Sequence, residues 1–487
     1  HLTVEQIRNR VTPLLLLGLH DLHADARAGA VIALGKVGRP ERDDYFNLMV
    51  RLLEDDDRIV RESACLAMGA LGYKDAAPLL LKIYRNDPSV RVKGVDVPNR
   101  QRSFAAMAIG LLGSRNASNV DRGIVDELIA GARTPQASED LQVSAAIALG
   151  VMRAPSAVPA LVEIVKDEEQ KDKVRCHATV ALGKLGDRSA VPFLVKCLTD
   201  RKTDVQRSAA IALGLLVDKE DRKSVDALIE TAKSAADRAV RNFAVMALGR
   251  IGSTAGRDFI ASLISRGHGL DQTFGALAAG VHAVEHKGDS KAELGKLVFH
   301  EFVNTRADGE RGAYAIALGL LDYQEALPKF VEELKAGGSP DLKAYVCIAC
   351  GLLGARSPEV LKLIQDEAKQ IKDLDVQRRA SIALGLCQDP QAVKVLEGVI
   401  KSASSNLSAL GAASMALGFI GDVQAVPILG TILENKDGSS KDNARAFAAV
   451  GLGLMGDKDD YSILTVIQQN SNYLAQTEAL AEVLTIY

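Results

Sequence analysis

The chain has no tryptophan, and its aromatic residues together make up 4% of 487. That excludes an interior built chiefly on large rings, leaves small side chains to carry much of the packing, and supplies little that could hold a planar pigment. The formal charge of -3 provides no global attraction toward nucleic acid or an anionic membrane. The longest apolar stretch near the start, Pro13 to Leu19, is far shorter than a bilayer span and lacks the order of a secretion signal. Six cysteines are too sparse for a disulfide scaffold and point to a reducing, cytoplasmic setting. No Pro-, Gly- or Ser-rich linker divides the chain, yet it is too long for one compact core. A repeating architecture resolves that conflict.

What is present is a register. The run Ala-Leu-Gly and its variants recur at Gly35, Gly69, Gly110, Gly150, Gly183, Gly214, Gly249, Gly280, Gly319, Gly351, Gly385, Gly418 and Gly453, with an average period of about 35 residues. Two residues before this anchor stands Ala in every repeat but the last, which has Gly451. Five before it, Ala is again the common residue. Small side chains three apart share one helical face and let neighbouring helices approach closely, so this stretch is the first helix of each unit. Three residues after the anchor, a second glycine (Gly38, Gly72, Gly113, Gly186, Gly252, Gly354, Gly421, Gly456) suits a left-handed cap that ends that helix. Nine after it, Pro78, Pro159, Pro192, Pro328 and Pro427 suit the first turn of a second helix, where no backbone donor is lost. The expected fold is all-α: an α-α superhelix, a right-handed solenoid of about 13 helix-turn-helix repeats in one array.

The stretch Lys173 to Leu194 (KVRCHATVALGKLGDRSAVPFL) resembles the HEAT-like repeat of the phycobilisome-lyase type, and Asp204 to Gly214 and Ala409 to Leu429 read similarly. The resemblance covers nearly the whole chain and implies the fold; bilin lyases, assembly chaperones and scaffolds share this repeat, so it does not choose among them. Val11 to Leu19 reads as the second helix of an earlier unit and Gln476 to Tyr487 as the first helix of a later one. Neither end is a polar cap, which implies a longer array or a partner covering the ends.

Eight residues before the anchor stands a row of long donors: Arg27, Arg61, Arg102, Arg175, Arg241, Arg311 and Arg445, with Gln142, Gln206, Gln272, Gln377 and Lys343 as substitutes. An anion-binding ladder is one reading. Recurrence in most units favours the other, a structural role between repeats, with Asp25, Asp140, Asp204, Asp341 and Asp375 as caps and partners. Cys347 and Cys350 have redox or zinc spacing but occupy ordinary packing positions of a first helix. His282, Glu285 and His286 match the inverted zinc-protease pattern H-x-x-E-H, which needs a continuous helix. A turn expected near Ala283 would rotate the imidazoles apart, so no metal is assigned there. His268 and His300 lie in the same degenerate repeat.

Between Lys82 and Arg102 bases outnumber acids and the anchor interval lengthens, marking an inserted loop; the next interval, with Ser114 to Asp121, is also long. An unrepeated surface is where specificity can reside, which makes Arg91, Lys93 and Arg100 candidate partner-binding residues. Three functions are compatible with this repeat. The favoured one is a non-catalytic protein-protein interaction scaffold or adaptor, whose second helices line the binding surface. The alternatives are a bilin-lyase-like or other ligand-handling enzyme, and nucleic-acid binding. A protein partner is expected, with no catalytic residue, cofactor, small-molecule ligand, nucleic acid or membrane insertion.

Overall fold

The computed structural model describes residues 2–39, 44–115, 121–287, 291–336, 338–370, 372–402, 406–435, 442–457, 470, 472 and 474–477. Among the described residues there are helices and connections and no strand. At the N-terminus α1 (Val4–Gln6) runs through a π-helical turn, Ile7–Val11, into α2 (Thr12–Gly18). First and second helices then alternate as the register requires. The first seven pairs are α3 (Ala24–Val37) and α4 (Phe46–Leu52), α5 (Arg58–Leu71) and α6 (Ala76–Arg85), α7 (Asn99–Arg115) and α8 (Arg122–Arg133), α9 (Glu139–Val151) and α10 (Val158–Lys166), α11 (Asp172–Leu185) and α12 (Val191–Cys197), α13 (Thr203–Leu216) and α14 (Arg222–Ser234), α15 (Arg238–Ile251) and α16 (Thr254–Arg266). They are followed by α17 (Leu270–Glu285) and α18 (Lys291–Asn304), α19 (Asp308–Leu320) and α20 (Leu327–Lys335), α21 (Pro340–Leu352) and α22 (Pro358–Lys369), α23 (Leu374–Cys387) and α24 (Val393–Ser402), α25 (Leu407–Ile420) and α26 (Ala425–Glu434), and α27 (Asp442–Met455).

The contacts divide the chain into two compact units, His1–Gly18 with Val245–Gly456 (unit 1) and Leu19–Ala244 with Asp457–Tyr487 (unit 2). Within each, successive first helices pack against one another more extensively than successive second helices do. The cause is the small-residue face. An ideal Cβ added to the anchor Gly183 would stand 2.5 Å from the Cα of Ala212, and one on Gly385 2.8 Å from the Cα of Ala416. Gly35, Gly69, Gly110, Gly150, Gly183, Gly249 and Gly385 thus receive the alanine that precedes the next anchor by two residues, at a separation no side chain could share. At Gly280, Gly319, Gly351 and Gly418 the nearest atom is the Cβ of the leucine just after the next anchor.

The second glycine of the repeat does two different jobs. Gly72, Gly186, Gly252, Gly354 and Gly421 have positive φ and end their helices as expected. Gly38 does not: its φ is -66°, and a Cβ there would meet the Leu71 Cδ2 at 2.6 Å. Gly113 lies inside α7, where a Cβ would run into Met152. Gly456 is not left-handed either. At Gly38 and Gly113 close packing, not backbone handedness, demands the glycine. The prolines fall in the first turns, as in α10, α12 and α20.

Within unit 1, α2 packs on α26 and α27, and a Cβ on Gly430 would stand 2.8 Å from the Leu14 Cδ1. The helix read as facing an earlier repeat is covered by these two. Residues 478–487 of the expected C-terminal helix lie outside the described residues, and Gln476 and Thr477 are not helical. No described helix is long and apolar enough to cross a membrane.

Candidate functional site

The long donors eight residues before the anchor turn toward the preceding second helix. Arg175, 4% exposed, donates from Nε to the Val165 carbonyl at 2.8 Å and pairs through Nη2 with Asp200 at 2.7 Å. Arg102 donates to the Tyr84 carbonyl, and Arg311 to the Phe302 carbonyl while pairing with Glu333. Gln142, Gln272 and Gln377 reach the carbonyls of Ala132, Ile264 and Ala368. Arg27, Arg61, Gln206 and Arg241 bond carbonyls just beyond a second helix, and Lys343 and Arg445 pair with Glu367 and Asp442. The last carbonyls of a helix lack intrahelical donors, so these side chains satisfy them and tie one repeat to the next. The recurring Asp25, Asp140, Asp204, Asp341 and Asp375 are not the caps; they sit in the first turns, where the helix dipole favours a carboxylate.

The inserted loop is more ordered internally than its sequence implied. Arg91 donates to the Asn86 carbonyl and pairs with Asp96 at 3.1 Å. Lys93 lies in a single 3-10 turn, Val92–Gly94. Arg100 departs from the expectation. It belongs to the first turn of α7 and pairs at 2.9 Å with the buried Glu62 of α5, so it is an internal strut and not part of an open patch. A buried carboxylate demands such a partner. Of the second long interval, residues 116–120 lie outside the described residues. Beside it, a cleft of about 540 Å³ is lined by Leu81 of α6, Ile109 and Leu112 of α7, Ile124 of α8 and Met152, with Lys74 and Asp121.

The histidine motif also differs from its reading. There is no turn at Ala283: α17 runs on to Glu285, because this repeat has Ala283 where others have the capping glycine. The rings of His282 and His286 consequently lie on one face, with centroids 5.1 Å apart. The His286 Nε2 is bonded to the Arg250 carbonyl at 2.7 Å, and Glu285 pairs with Arg250 at 3.3 Å. Among the described residues no cluster of three or more His, Cys, Asp or Glu could hold a metal ion. Cys347 and Cys350 are fully buried; burial raises the Cys347 thiol well above its ordinary value and pushes Cys350 up to about 12.

A surface absent from the sequence reading lies on the first helices themselves. Successive residues turn by about 100° around a helix. Residues ten, six and three before the anchor and one after it therefore share the face opposite the long donors, away from the second helices. On four first helices of unit 2 the residues six and three before the anchor are buried: Ser63 and Leu66 on α5, Phe104 and Met107 on α7, Ser144 and Ile147 on α9, His177 and Val180 on α11. Residues of the C-terminal stretch bond to this face on α11 and α13. The Asn472 Nδ2 donates to the Asp204 carbonyl and the Ser208 Oγ, both at 3.1 Å, and the His177 Nε2 donates to the Ala475 carbonyl at 2.9 Å. Burial pulls the His177 imidazole down to about 4, against the raising effect of that carbonyl. On α3, burial lowers the Lys36 ammonium, offset by the charge of Asp457.

In unit 1 most of the same positions are part-exposed and apolar. They are Phe274 and Leu277 on α17, Ile316 on α19, Tyr345 and Ile348 on α21, Ile382 on α23, Met415 on α25, and Phe447 and Val450 on α27. Arg379 of α23 lies over the Tyr345 ring, 4.3 Å from its centroid.

The profile of HEAT repeats matches residues 12–95, 125–214, 198–270 and 368–442, more than half of the chain. The chain belongs to the HEAT-repeat family. No curated protein matches it. Among solved structures, this HEAT-repeat chain is similar to the CpcE–CpcF complex of phycocyanin lyase from Nostoc sp. PCC7120, with 23% identity and a TM-score of 0.33, over 50% of this chain and 94% of that one. It is also similar to the karyopherin Kap121p, with 12% identity and a TM-score of 0.41, over 91% of this chain and 53% of that one. Human deoxyhypusine hydroxylase matches at 19% identity and a TM-score of 0.25, over 65% of this chain and 99% of that one. One signal for the docked stretch was visible in the HEAT register: Ser63, Ser144, His177 and Ser208 place polar side chains six before the anchor, where α17, α21 and α27 have Phe274, Tyr345 and Phe447.

Proposed function

We propose that this HEAT-repeat chain is a non-catalytic protein-protein interaction scaffold, and that its first helices, not its second, present the binding surface. The observation that carries the reading is the row of part-exposed apolar side chains across α17 to α27. Phe, Tyr, Ile and Met side chains at first-helix spacing, with Arg379 among them, form a part-exposed apolar row of the kind that buries a partner. The perturbed titratable groups support the non-catalytic part: the thiols of Cys65, Cys176, Cys197, Cys350 and Cys387 are each pushed up to about 12 by burial and stay protonated. Free, buried cysteines also support a reducing, cytoplasmic setting.

Photo-crosslinking tests the surface. A crosslinking residue at Ile348 is expected to trap a protein partner, and one at Lys362 on the exposed side of α22 is not. Trapping at Lys362 alone would return the surface to the second helices. A coloured ligand co-purifying with the chain, with absorbance that changes on turnover, would favour the bilin-lyase-like alternative.

A further inference from the structure

On α11 and α13, unit 2 already carries a short stretch of chain that belongs to no repeat. Asn472 is fully buried. Its Nδ2 reaches the Asp204 carbonyl and the Ser208 Oγ, while its Oδ1 accepts from the Leu474 amide at 3.1 Å. The Ser208 hydroxyl donates to the same Asp204 carbonyl at 2.9 Å, so the amide meets two oxygens already held in place. Three residues further on, the Ala475 carbonyl takes the His177 Nε2 proton. The described residues of this stretch form neither helix nor strand, and its order comes from these bonds and from the burial of Ala475 and Thr477.

We propose that this face of α11 and α13 is a docking groove for an uncharged, irregular polypeptide segment that presents an Asn side chain and, three residues later, a backbone carbonyl. Asn472 and Ala475 of the chain itself are its resident occupants, which a partner segment of that chemistry displaces. The inference goes beyond the scaffold reading, which rests on the open face of unit 1.

Three features select the occupant. The groove supplies two acceptors and one donor at fixed positions, the complement of a primary amide followed by a carbonyl. Residues 461–477 contain no charged side chain, and the groups that hold them, the buried His177 imidazole, the Ser208 hydroxyl and the Asp204 carbonyl, are neutral hydrogen-bonding partners that suit an uncharged segment. The occupant needs no secondary structure, because the bonds join side chains to backbone. Displacement is feasible because water competes for each bond and leaves its net worth small. The resident's main advantage is its tether, equivalent to an effective concentration on the order of millimolar.

The test uses the full chain and a fluorescein-labelled synthetic peptide of residues 461–477, followed by anisotropy. Asn472→Leu in the chain weakens the resident while leaving the groove intact, so the peptide is expected to bind this variant about tenfold more tightly than the parent. A peptide carrying the same Asn→Leu change should lose that binding. Hydrogen exchange should show α11 and α13 less protected in the variant and protected again on adding peptide. Equal affinity for parent and variant, or no binding to either while circular dichroism shows both folded, overturns the proposal. A concentration-dependent dimer of the parent in light scattering, lost in Asn472→Leu, would mean that a second copy supplies the segment, and would overturn the partner assignment. If Asn472→Leu does not fold, His177→Phe replaces it, and retained peptide affinity in that variant counts against the groove.

Discussion

The His177 Nε2 donates to the carbonyl oxygen of Ala475 at 2.9 Å across 298 residues of chain, with His177 2% exposed. Burial, with smaller contributions from Lys184 and Lys173, holds the imidazole at about 4, below the ordinary 6.5. Between these values the unfolded chain binds the proton and the folded one does not. Stability is therefore full above pH 6.5 and falls as pH drops toward 4, by roughly 3 kcal/mol in all. Urea titrations between pH 7 and 4.5 check this. His177→Gln should flatten the slope in that window, and an unchanged slope would contradict the assignment.

Gly183 and Gly398 should respond to alanine in opposite directions. A Cβ on Gly183 would stand 2.5 Å from the Ala212 backbone, whereas Gly398 on α24 has nothing within 4 Å. Gly398→Ala should stabilise by about 0.5–1 kcal/mol through helix propensity. Gly183→Ala, and likewise Ala212→Leu, should cost about 1–3 kcal/mol through overpacking. Thermal melts of the three variants beside the parent decide it.

Arg175→Ala should destabilise by about 2–3 kcal/mol, because it removes the donor to the Val165 carbonyl and the cation paired with Asp200, which keeps the Lys202 amide as a hydrogen-bond donor. Arg91→Ala removes a more exposed pair and should stay within about 0.5 kcal/mol of the parent. Matched denaturant midpoints for the two would refute the division between strut and surface.

Arg100→Ala should cost about 3 kcal/mol, since Glu62 stays buried and loses its close arginine partner while Arg58 stands farther off, at 3.5 Å. Arg100→Ala with Glu62→Gln should recover part of that loss in the same melt. A triple replacement of Arg91, Lys93 and Arg100 is accordingly expected to lower the melting temperature, and reduced partner capture by it would not by itself locate a binding surface.

Equimolar zinc should leave the melting temperature unchanged. Although His282 and His286 face each other, the His286 Nε2 is engaged by the Arg250 carbonyl, and Glu285 is engaged by the Arg250 side chain. A zinc-dependent rise abolished by His286→Ala would establish a metal site.

Local rules made much of the architecture legible. Where they misled, a tertiary contact or a missing residue was the cause. Gly113 looks like a cap in the register but serves Met152, which belongs to the next repeat. Arg100 looks like loop charge, and its partner Glu62 is 38 residues away. The turn expected at Ala283 failed because alanine there gives the helix no reason to stop before Glu285.

By itself the sequence determined the helix-turn-helix repeat, the Gly and Ala face that spaces successive first helices, and the placement of the long donors. Each follows from residues within one or two periods of each other, where helix propensity, capping and side-chain size act directly. Tertiary structure alone decided which first-helix face is covered in unit 2 and which stays open in unit 1. Asn472 and Ser208 meet across 264 residues, and contacts that distant leave no periodic trace, because they depend on where the folded repeats carry the chain and not on any neighbour in sequence.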